Sequence, residues 1–324
     1  MRKLPSFFVV GAQKAGTTTL HDWLVRQPDV CLPVIKETHF FSDRQRFSLG
    51  IEWYLKQFPE SNKGAVTGEI DPDYMFFEES PRRIRKWVRR PKIVFIFRHP
   101  VERAYSHYLM SLRRGHEALP FGEALQREEG RLSGPGREFA VNHFSYLARG
   151  RYCEQIARYR EVFPESEFLF VKFNDLFGGE TGDATYEGIC RFLGLSSSPL
   201  ITDRSRKSNP ASTARSRLLR DLLHKPSRTR RLLGRLIPSV GVKIKLWAML
   251  DRMNLKPIND GEDRREDLSR IPEEMLELVK GEVLSLQAVT GLDLSDWIRS
   301  LEEKRGDTQR GGCGCPEVWH DLGV

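Results

Sequence analysis

The sequence predicts an α/β protein in three layers, with a central parallel sheet flanked by helices. Three observations carry that expectation. The runs Phe7-Phe8-Val9-Val10, Lys92-Ile93-Val94-Phe95-Ile96-Phe97 and Phe168-Leu169-Phe170-Val171-Lys172-Phe173 are predominantly apolar without strict alternation, the texture of strands covered on both faces. Apolar residues elsewhere recur at helical spacing, as in Leu20, Trp23 and Leu24, or Val101, Ala104, Tyr108 and Leu112. The first apolar run also passes through a loop of small residues straight into a helix. A chain of 324 residues is ample for a core. A single domain is expected over residues 5–300, with a basic helical segment at about 211–260 inside it and a polar, flexible tail at 301–324.

Composition narrows the function classes. The 52 Lys+Arg against 44 Asp+Glu leave a net charge of +8, which suits an anionic ligand, an acidic polymer or a membrane surface without choosing among them. No run approaches the ~18 apolar residues of a membrane span. Met1-Arg2-Lys3-Leu4-Pro5 leads directly into the first strand, leaving no room for a signal peptide. The five cysteines (Cys31, Cys153, Cys190, Cys313, Cys315) are scattered and odd in number, which argues against a disulfide framework. The expectation is a soluble, cytoplasmic protein.

Taken in order, the first strand is followed by Gly11-Ala12-Gln13-Lys14-Ala15-Gly16-Thr17-Thr18 and then a helix. Strand, glycine loop and helix together aim backbone N–H groups and the positive end of a helix at an anion, usually a phosphate. The spacing is P-loop-like, but Thr17 stands where a Walker lysine would follow Gly16, and the loop's lysine is Lys14. Val30-Cys31-Leu32-Pro33 reads as a short second strand. In Lys36-Glu37-Thr38-His39-Phe40-Phe41, a carboxylate and an imidazole two residues apart share one face if the segment is extended. Residues 44–65 read as helix and loop, and Thr67–Tyr74 as a turn-rich stretch whose Glu69 and Asp71 are secondary acid candidates. Pro81 begins a basic helix.

The strand Lys92–Phe97 ends in Arg98, and Pro100 fits the first turn of the next helix. Arg98 therefore occupies the usual ligand crevice of an open α/β sheet, where a nucleotide hydrolase would more naturally place an aspartate. Residues 113–140 read as a long loop with one short helix, and Tyr146–Phe163 as a helix before the strand at Phe168. A helix over Thr185–Leu193 stops at Gly194. Arg204–Pro210 is a basic loop, and 215–256 is strongly positive: either a solvated helical face or an electrostatic surface for an acidic polymer or anionic membrane. A last amphipathic helix starts near Pro272 and stops at Gly291, and Cys313-Gly314-Cys315 in the tail is too isolated for a zinc site.

Together these residues resemble the sulfotransferases that use 3′-phosphoadenosine-5′-phosphosulfate (PAPS), and most of all the branch that includes heparan sulfate sulfotransferases and soluble bacterial relatives. The resemblance covers roughly residues 7–297. Gly11–Thr18 is similar to the family's 5′-phosphosulfate loop. Phe97-Arg98-His99-Pro100-Val101-Glu102-Arg103-Ala104-Tyr105-Ser106 is similar to its 3′-phosphate motif, an arginine with a serine eight residues on. Lys36–Phe41 matches the strand that bears the acceptor base. Two positions depart: Ile70 stands where the heparan enzymes carry a lysine in G-E-x-x-P, and Phe173-Asn174-Asp175-Leu176 stands where relatives often show Tyr-Glu-Asp-Leu.

The resemblance implies sulfuryl transfer by in-line displacement from PAPS, with PAP as product, to a hydroxyl or amine of a carbohydrate, lipid or small metabolite. Lys14, Ala15, Gly16, Thr17 and Thr18 would hold the 5′-phosphosulfate, Arg98 and Ser106 the 3′-phosphate, with Arg206 and Lys207 closing over it. Lys14 would stabilise the leaving oxygen and Glu37 would act as base, His39 orienting the acceptor or sharing that role. Some sulfotransferases use histidine as base, so both residues stay open. Neither a metal nor nucleic acid is expected. The alternatives are a P-loop kinase or nucleotide hydrolase, and a non-catalytic protein binding anionic polymers or membranes through 215–256.

Overall fold

The computed structural model describes residues 3–60, 64–177, 179–195, 212–214, 216, 249–250, 253–257 and 268–311. Arg204–Pro210, most of the 215–256 segment and the Cys313/Cys315 tail lie outside them, and with them Arg206 and Lys207.

Five strands form one parallel sheet: β1 (Phe7–Gly11), β2 (Val30–Cys31), β3 (Val66–Ile70), β4 (Lys92–Phe97) and β5 (Phe168–Lys172), in the order β2-β3-β1-β4-β5. Phe7 pairs with Gly68 on one side and Lys92 on the other. The chain leaves β1 for the edge strand β2, returns inward to β3, then crosses β1 to β4 and goes on to β5. The connection from β1 leads to one flank and that from β4 to the other, so the reversal of direction lies between β1 and β4. That is where an open parallel sheet leaves a crevice beyond its strand ends. Phe7–Val10 and Ile93–Phe97 are fully buried. Helices cover both faces, which is why these strands read as unbroken apolar runs.

The helices that frame the crevice are α1 (Thr17–Leu24), α4 (Asp73–Phe76), α6 (Pro100–Arg114) and α11 (Phe173–Phe177). Trp23 of α1 packs against Phe177 and Tyr186, with ring centroids 5.4 Å apart in each case. On α6, Val101, Ala104, Tyr105 and Tyr108 face the core, as the helical spacing implied. Helix α12 spans Gly179–Leu193, starting earlier than the sequence reading, and stops at Gly194. Helix α13 (Glu273–Thr290) ends at Gly291 as expected. After it, α14 (Ser295–Gly311) buries Trp297 and Leu301 against the body. A two-stranded antiparallel pair, β6 (Ser212–Ala214) with β7 (Leu255–Pro257), completes the described strands.

Three expectations are corrected. Residues 113–140 are not mainly loop: after α6 come α7 (Phe121–Gln126), α8 (Glu128–Ser133) and α9 (Arg137–His143). The helix expected from Tyr146 begins only with α10 at Tyr152 (Tyr152–Val162), after a 3₁₀ turn at Ala148–Gly150. The cause is the buried Glu128, whose carboxylate accepts from the backbone N–H groups of Leu147 (2.7 Å) and Ala148 (2.8 Å) and holds that segment in a separate turn. The stretch from Thr67 is strand β3 running into α4, not a turn, because Glu69 finds buried partners far away in sequence.

Gly68 is required by close packing: a Cβ there would sit 2.1 Å from the Phe7 ring. Gly68→Ala should therefore lower the unfolding free energy by roughly 1–3 kcal/mol, the ordinary range for overpacking. Urea titration should show a lower midpoint at unchanged slope. An unchanged midpoint would mean that the Phe7 ring can move aside.

Candidate active site

The β1 loop is built to present backbone and charge outward. Its Ala12 N–H donates to the Ile96 carbonyl (2.7 Å), which ties the loop to the end of β4. Lys14 and Gly16 both adopt left-handed backbone, with φ of 70° and 83°. A side chain at Gly16 would also collide with the Phe177 ring, 2.3 Å from an added Cβ, so only glycine fits. Gly16 caps α1 without a side-chain hydrogen bond. The first-turn amides of α1, from Thr17 onward, are thus the kind of helix terminus that binds anions. Thr17 is buried and Thr18 half-buried, while Ala15 is buried and contributes through its backbone.

Positive charge converges on the same loop. Burial, followed by the charges of Arg113, Arg98, Arg114 and Arg103, lowers the Lys14 pKa to about 8. Arg98, at the end of β4, donates to the Lys14 carbonyl (3.3 Å), lies 3.4 Å from Glu102 and stacks over the Phe173 ring at 4.9 Å. Its own carbonyl accepts from the Tyr152 hydroxyl (2.8 Å), which fixes the strand end. Arg103 is fully buried and donates to the carbonyls of Gln13 (3.5 Å) and Tyr146. Ser106 is half-buried on α6, about 9 Å along the helix axis from Pro100 at 1.5 Å per residue. Lys14, Gly16, Thr17, Thr18 and Arg98 are thus brought together at the ends of β1 and β4.

The segment Lys36–Phe41 is not a strand, and Glu37 and His39 do not share an extended face. Both adopt left-handed backbone, with φ of 62° and 51°. The physical reason is Thr38 between them, which is drawn inward: its N–H (3.2 Å) and its hydroxyl (2.5 Å) both donate to Glu69 Oε1. Phe40 and Phe41 follow it into a cluster with Tyr54, their rings 4.7 and 5.0 Å from that of Tyr54. Glu37 is left half-buried at the surface, its carboxylate paired with the Lys36 ammonium.

His39 turns the other way, toward the end of β3. Its N–H donates to Asp71 Oδ2 (2.7 Å), and its Nδ1 lies 3.2 Å from the same oxygen and 3.3 Å from Asp73 Oδ2. Burial would lower its pKa, but the contact with Asp71 and the charges of Asp71, Asp73 and Glu37 outweigh burial and raise it to about 9. Arg149 Nη1 donates to Asp73 Oδ1 (2.6 Å), and against the effect of burial that guanidinium and His39 hold the Asp73 pKa below its usual value. Among the described residues, His39, Asp71 and Asp73 offer donor atoms within 4.8 Å of one another. The imidazole of His39 and the guanidinium of Arg149 face the two carboxylates, so the group forms an ion-pair network.

The secondary acid candidates change meaning. Glu69 is fully buried and accepts from Thr38 twice, from the Tyr54 hydroxyl (2.6 Å) and from the Tyr74 hydroxyl (3.0 Å). No acceptor molecule can reach it, although burial and the Asp71 charge raise its pKa to about 7. Sequence reasoning gave no separate role to Arg103, Arg114 or Arg149. Arg103 and Arg114 are eleven positions apart on one helix and so share a face, which is the signal that could have found them. Arg149 had no such signal.

The chain belongs to the sulfotransferase domain family, whose model matches residues 4–217. That span contains the β1 loop, the Glu37 turn and Arg98. The chain is 32% identical over 203 residues to human heparan sulfate glucosamine 3-O-sulfotransferase 6, covering 63% of this chain and 55% of that one. It is 37% identical over 171 residues to human heparan sulfate glucosamine 3-O-sulfotransferase 5, covering 53% and 48%. The chain thus spans about half the length of the curated relatives it matches. Its fold is that of a crystallised sulfotransferase from Alicyclobacillus acidocaldarius, with a TM-score of 0.62 at 24% identity, over 91% of this chain and 99% of the other.

A lysine that titrates near 8 when the loop is empty must be held protonated by a bound anion. PAP affinity should therefore be full below pH 8 and weaken as the pH rises through 8. Calorimetry just above pH 8, in buffers of different ionisation enthalpy, should show proton uptake on binding. A binding enthalpy independent of buffer would contradict this reading of Lys14.

Proposed function

We propose that the protein transfers a sulfuryl group from PAPS to a hydroxyl or amine of an acceptor. The observation that carries this reading is a pair of cationic sites at the adjacent ends of β1 and β4, Lys14 in one and Arg98 in the other, within a chain of the sulfotransferase family. A nucleotide with anions at both its 3′ and 5′ positions fits two such sites. When bound, PAPS would supply an activated sulfuryl group on a phosphate leaving group.

The residues divide the work by position. Lys14 and the amides around Gly16, Thr17 and Thr18 would hold the 5′ end, and Arg98 with Ser106 the 3′-phosphate. Arg206 and Lys207, in the basic loop outside the described residues, would add charge over that phosphate. At neutral pH Lys14 keeps its proton for most of the time, since its pKa is about 8. Its ammonium is then available where negative charge develops on departure of the donor. Charge neutralisation is assigned to Lys14 and the guanidinium groups, not to a metal ion.

Glu37 is proposed as the base. His39, with a pKa near 9, carries its proton at neutral pH and can donate but not accept, which supports Glu37 for that role and leaves His39 to orient the acceptor. The matched relatives are named for 3-O-sulfation of heparan sulfate glucosamine. Ile70 in place of the lysine that the resemblance leads one to expect widens the acceptor class proposed here to carbohydrates, lipids and small metabolites. The positive charge of the 215–256 segment would suit contact with an anionic membrane or acidic polymer. Among the described residues no helix is long and apolar enough to cross a membrane.

Glu37→Gln should leave PAP affinity within about twofold of the parent while reducing acceptor-dependent PAP release by roughly 10²–10⁴-fold, the usual contribution of a general base. Near-normal release would remove Glu37 from the role. Loss of PAP binding would mean that the turn supports the donor site instead.

A further inference from the structure

The end of β3 carries a carboxylate that touches both halves of the site. The Asp71 N–H donates to the Val9 carbonyl (3.1 Å), on the strand that runs into the Lys14 loop. Its side chain, fully buried, accepts the His39 N–H (2.7 Å) through Oδ2 and the Asp73 N–H (3.1 Å) through Oδ1. We propose that Asp71 is a positioning residue: it locks the turn bearing Glu37 to strand β1 and, by pairing with the His39 imidazole at 3.2 Å, sets the charge that His39 presents to the acceptor. The assignment rests on the reading that places Glu37 and His39 at the reacting acceptor.

The backbone explains why such a lock is needed. Glu37 and His39 both hold left-handed conformations, which are unfavourable for non-glycine residues. A free loop would relax from them. Glu69 of β3 secures Thr38, and Asp71, just past the strand's end, secures His39, so two carboxylates two positions apart fasten consecutive residues of the turn. Glu37, half-buried beside Thr38, inherits its direction from these two anchors. Glu69 is committed to Tyr54 and Tyr74, whereas the remaining capacity of Asp71 points to His39.

The charges facing His39 come from several elements. Asp71 ends β3, Asp73 opens α4, and Glu37 lies on the same turn; all three favour the imidazolium. Arg149, from the 3₁₀ turn before α10, is paired with Asp73 and partly offsets it, and His143 of α9 also faces Asp73. The Arg46 guanidinium of α2 (Arg44–Ser48) donates to the Thr38 carbonyl, one residue away. With Asp73 half engaged by Arg149, Asp71 is the principal support of the imidazolium. The raised pKa of His39 accords with this geometry.

Asp71→Asn tests the proposal, since asparagine keeps the shape and can still accept the His39 N–H but cannot pair with a charged ring. Selective NMR labelling of histidine gives a readout free of activity: His39 should titrate near 9 in the parent and roughly one to two pH units lower in the variant, back toward the ordinary imidazole value of about 6.5. The variant should bind PAP like the parent, while its acceptor-dependent turnover falls on the order of tenfold or more and the alkaline limb of its pH profile moves to lower pH by the same amount. An unchanged His39 titration with an unchanged pH profile would overturn the proposal. Should Asp71→Asn fail to fold, the parent titration alone decides: a His39 pKa at or below 6.5 removes Asp71 as its partner. A parent protein that neither binds PAP nor releases it would defeat the sulfotransferase reading instead, and the NMR comparison would still report on the pairing.

Discussion

Lys14 is half-buried at the end of the central strand, with Arg98, Arg103, Arg113 and Arg114 all raising the positive potential around it. Burial of the ammonium first, and repulsion from the neighbouring guanidinium groups second, lower the pKa of Lys14. Two of these arginines are anchored by other groups: Arg103 by two carbonyls, Arg98 by Glu102, the Phe173 ring and the Lys14 carbonyl. What remains unbalanced is the potential itself, which an anion would satisfy. The rest of the crevice depends on this arrangement, since the left-handed Lys14 and Gly16 are what aim the loop there.

Across the crevice the charge reverses. Glu69, Asp71 and Asp73 line up at the end of β3 and the start of α4, and each is matched by a partner that holds a turn in place: Thr38 for Glu69, His39 for Asp71, Arg149 for Asp73. The ends of β1 and β4 are thus cationic, and the end of β3 beside them is acidic. The two sides are joined through β1 and β3, whose parallel register is enforced by Gly68 against Phe7.

The sequence was legible where a single residue's neighbours along the chain decide its role. Strands β1, β4 and β5 showed as apolar runs because both faces are covered, and Lys14 and Arg98 stood out because each follows such a run directly. Strand β3 did not show, because a glycine and a buried glutamate interrupt it. The glutamate is tolerable only through Thr38, Tyr54 and Tyr74, and Thr38 and Tyr54 lie 31 and 15 positions earlier. The same long-range contact hid the true shape of the Glu37 turn. The residue types were visible, but the inward pull on Thr38 that sends Glu37 and His39 apart depends on a partner in another strand. Arg149 went unnoticed because its partner Asp73 is 76 positions away.

The central claim is that two neighbouring cationic sites at the ends of β1 and β4 recognise a nucleotide carrying anions at both its 3′ and 5′ positions. Calorimetric titration of the purified protein with PAP, with AMP and with ATP–Mg²⁺ tests it most directly. The account predicts that PAP binds tighter than AMP on the order of a hundredfold, the scale of a few charge-assisted hydrogen bonds to the added 3′-phosphate, and tighter than ATP–Mg²⁺ as well. Equal or tighter binding of ATP–Mg²⁺ would contradict it and return the site to the kinase and nucleotide hydrolase class.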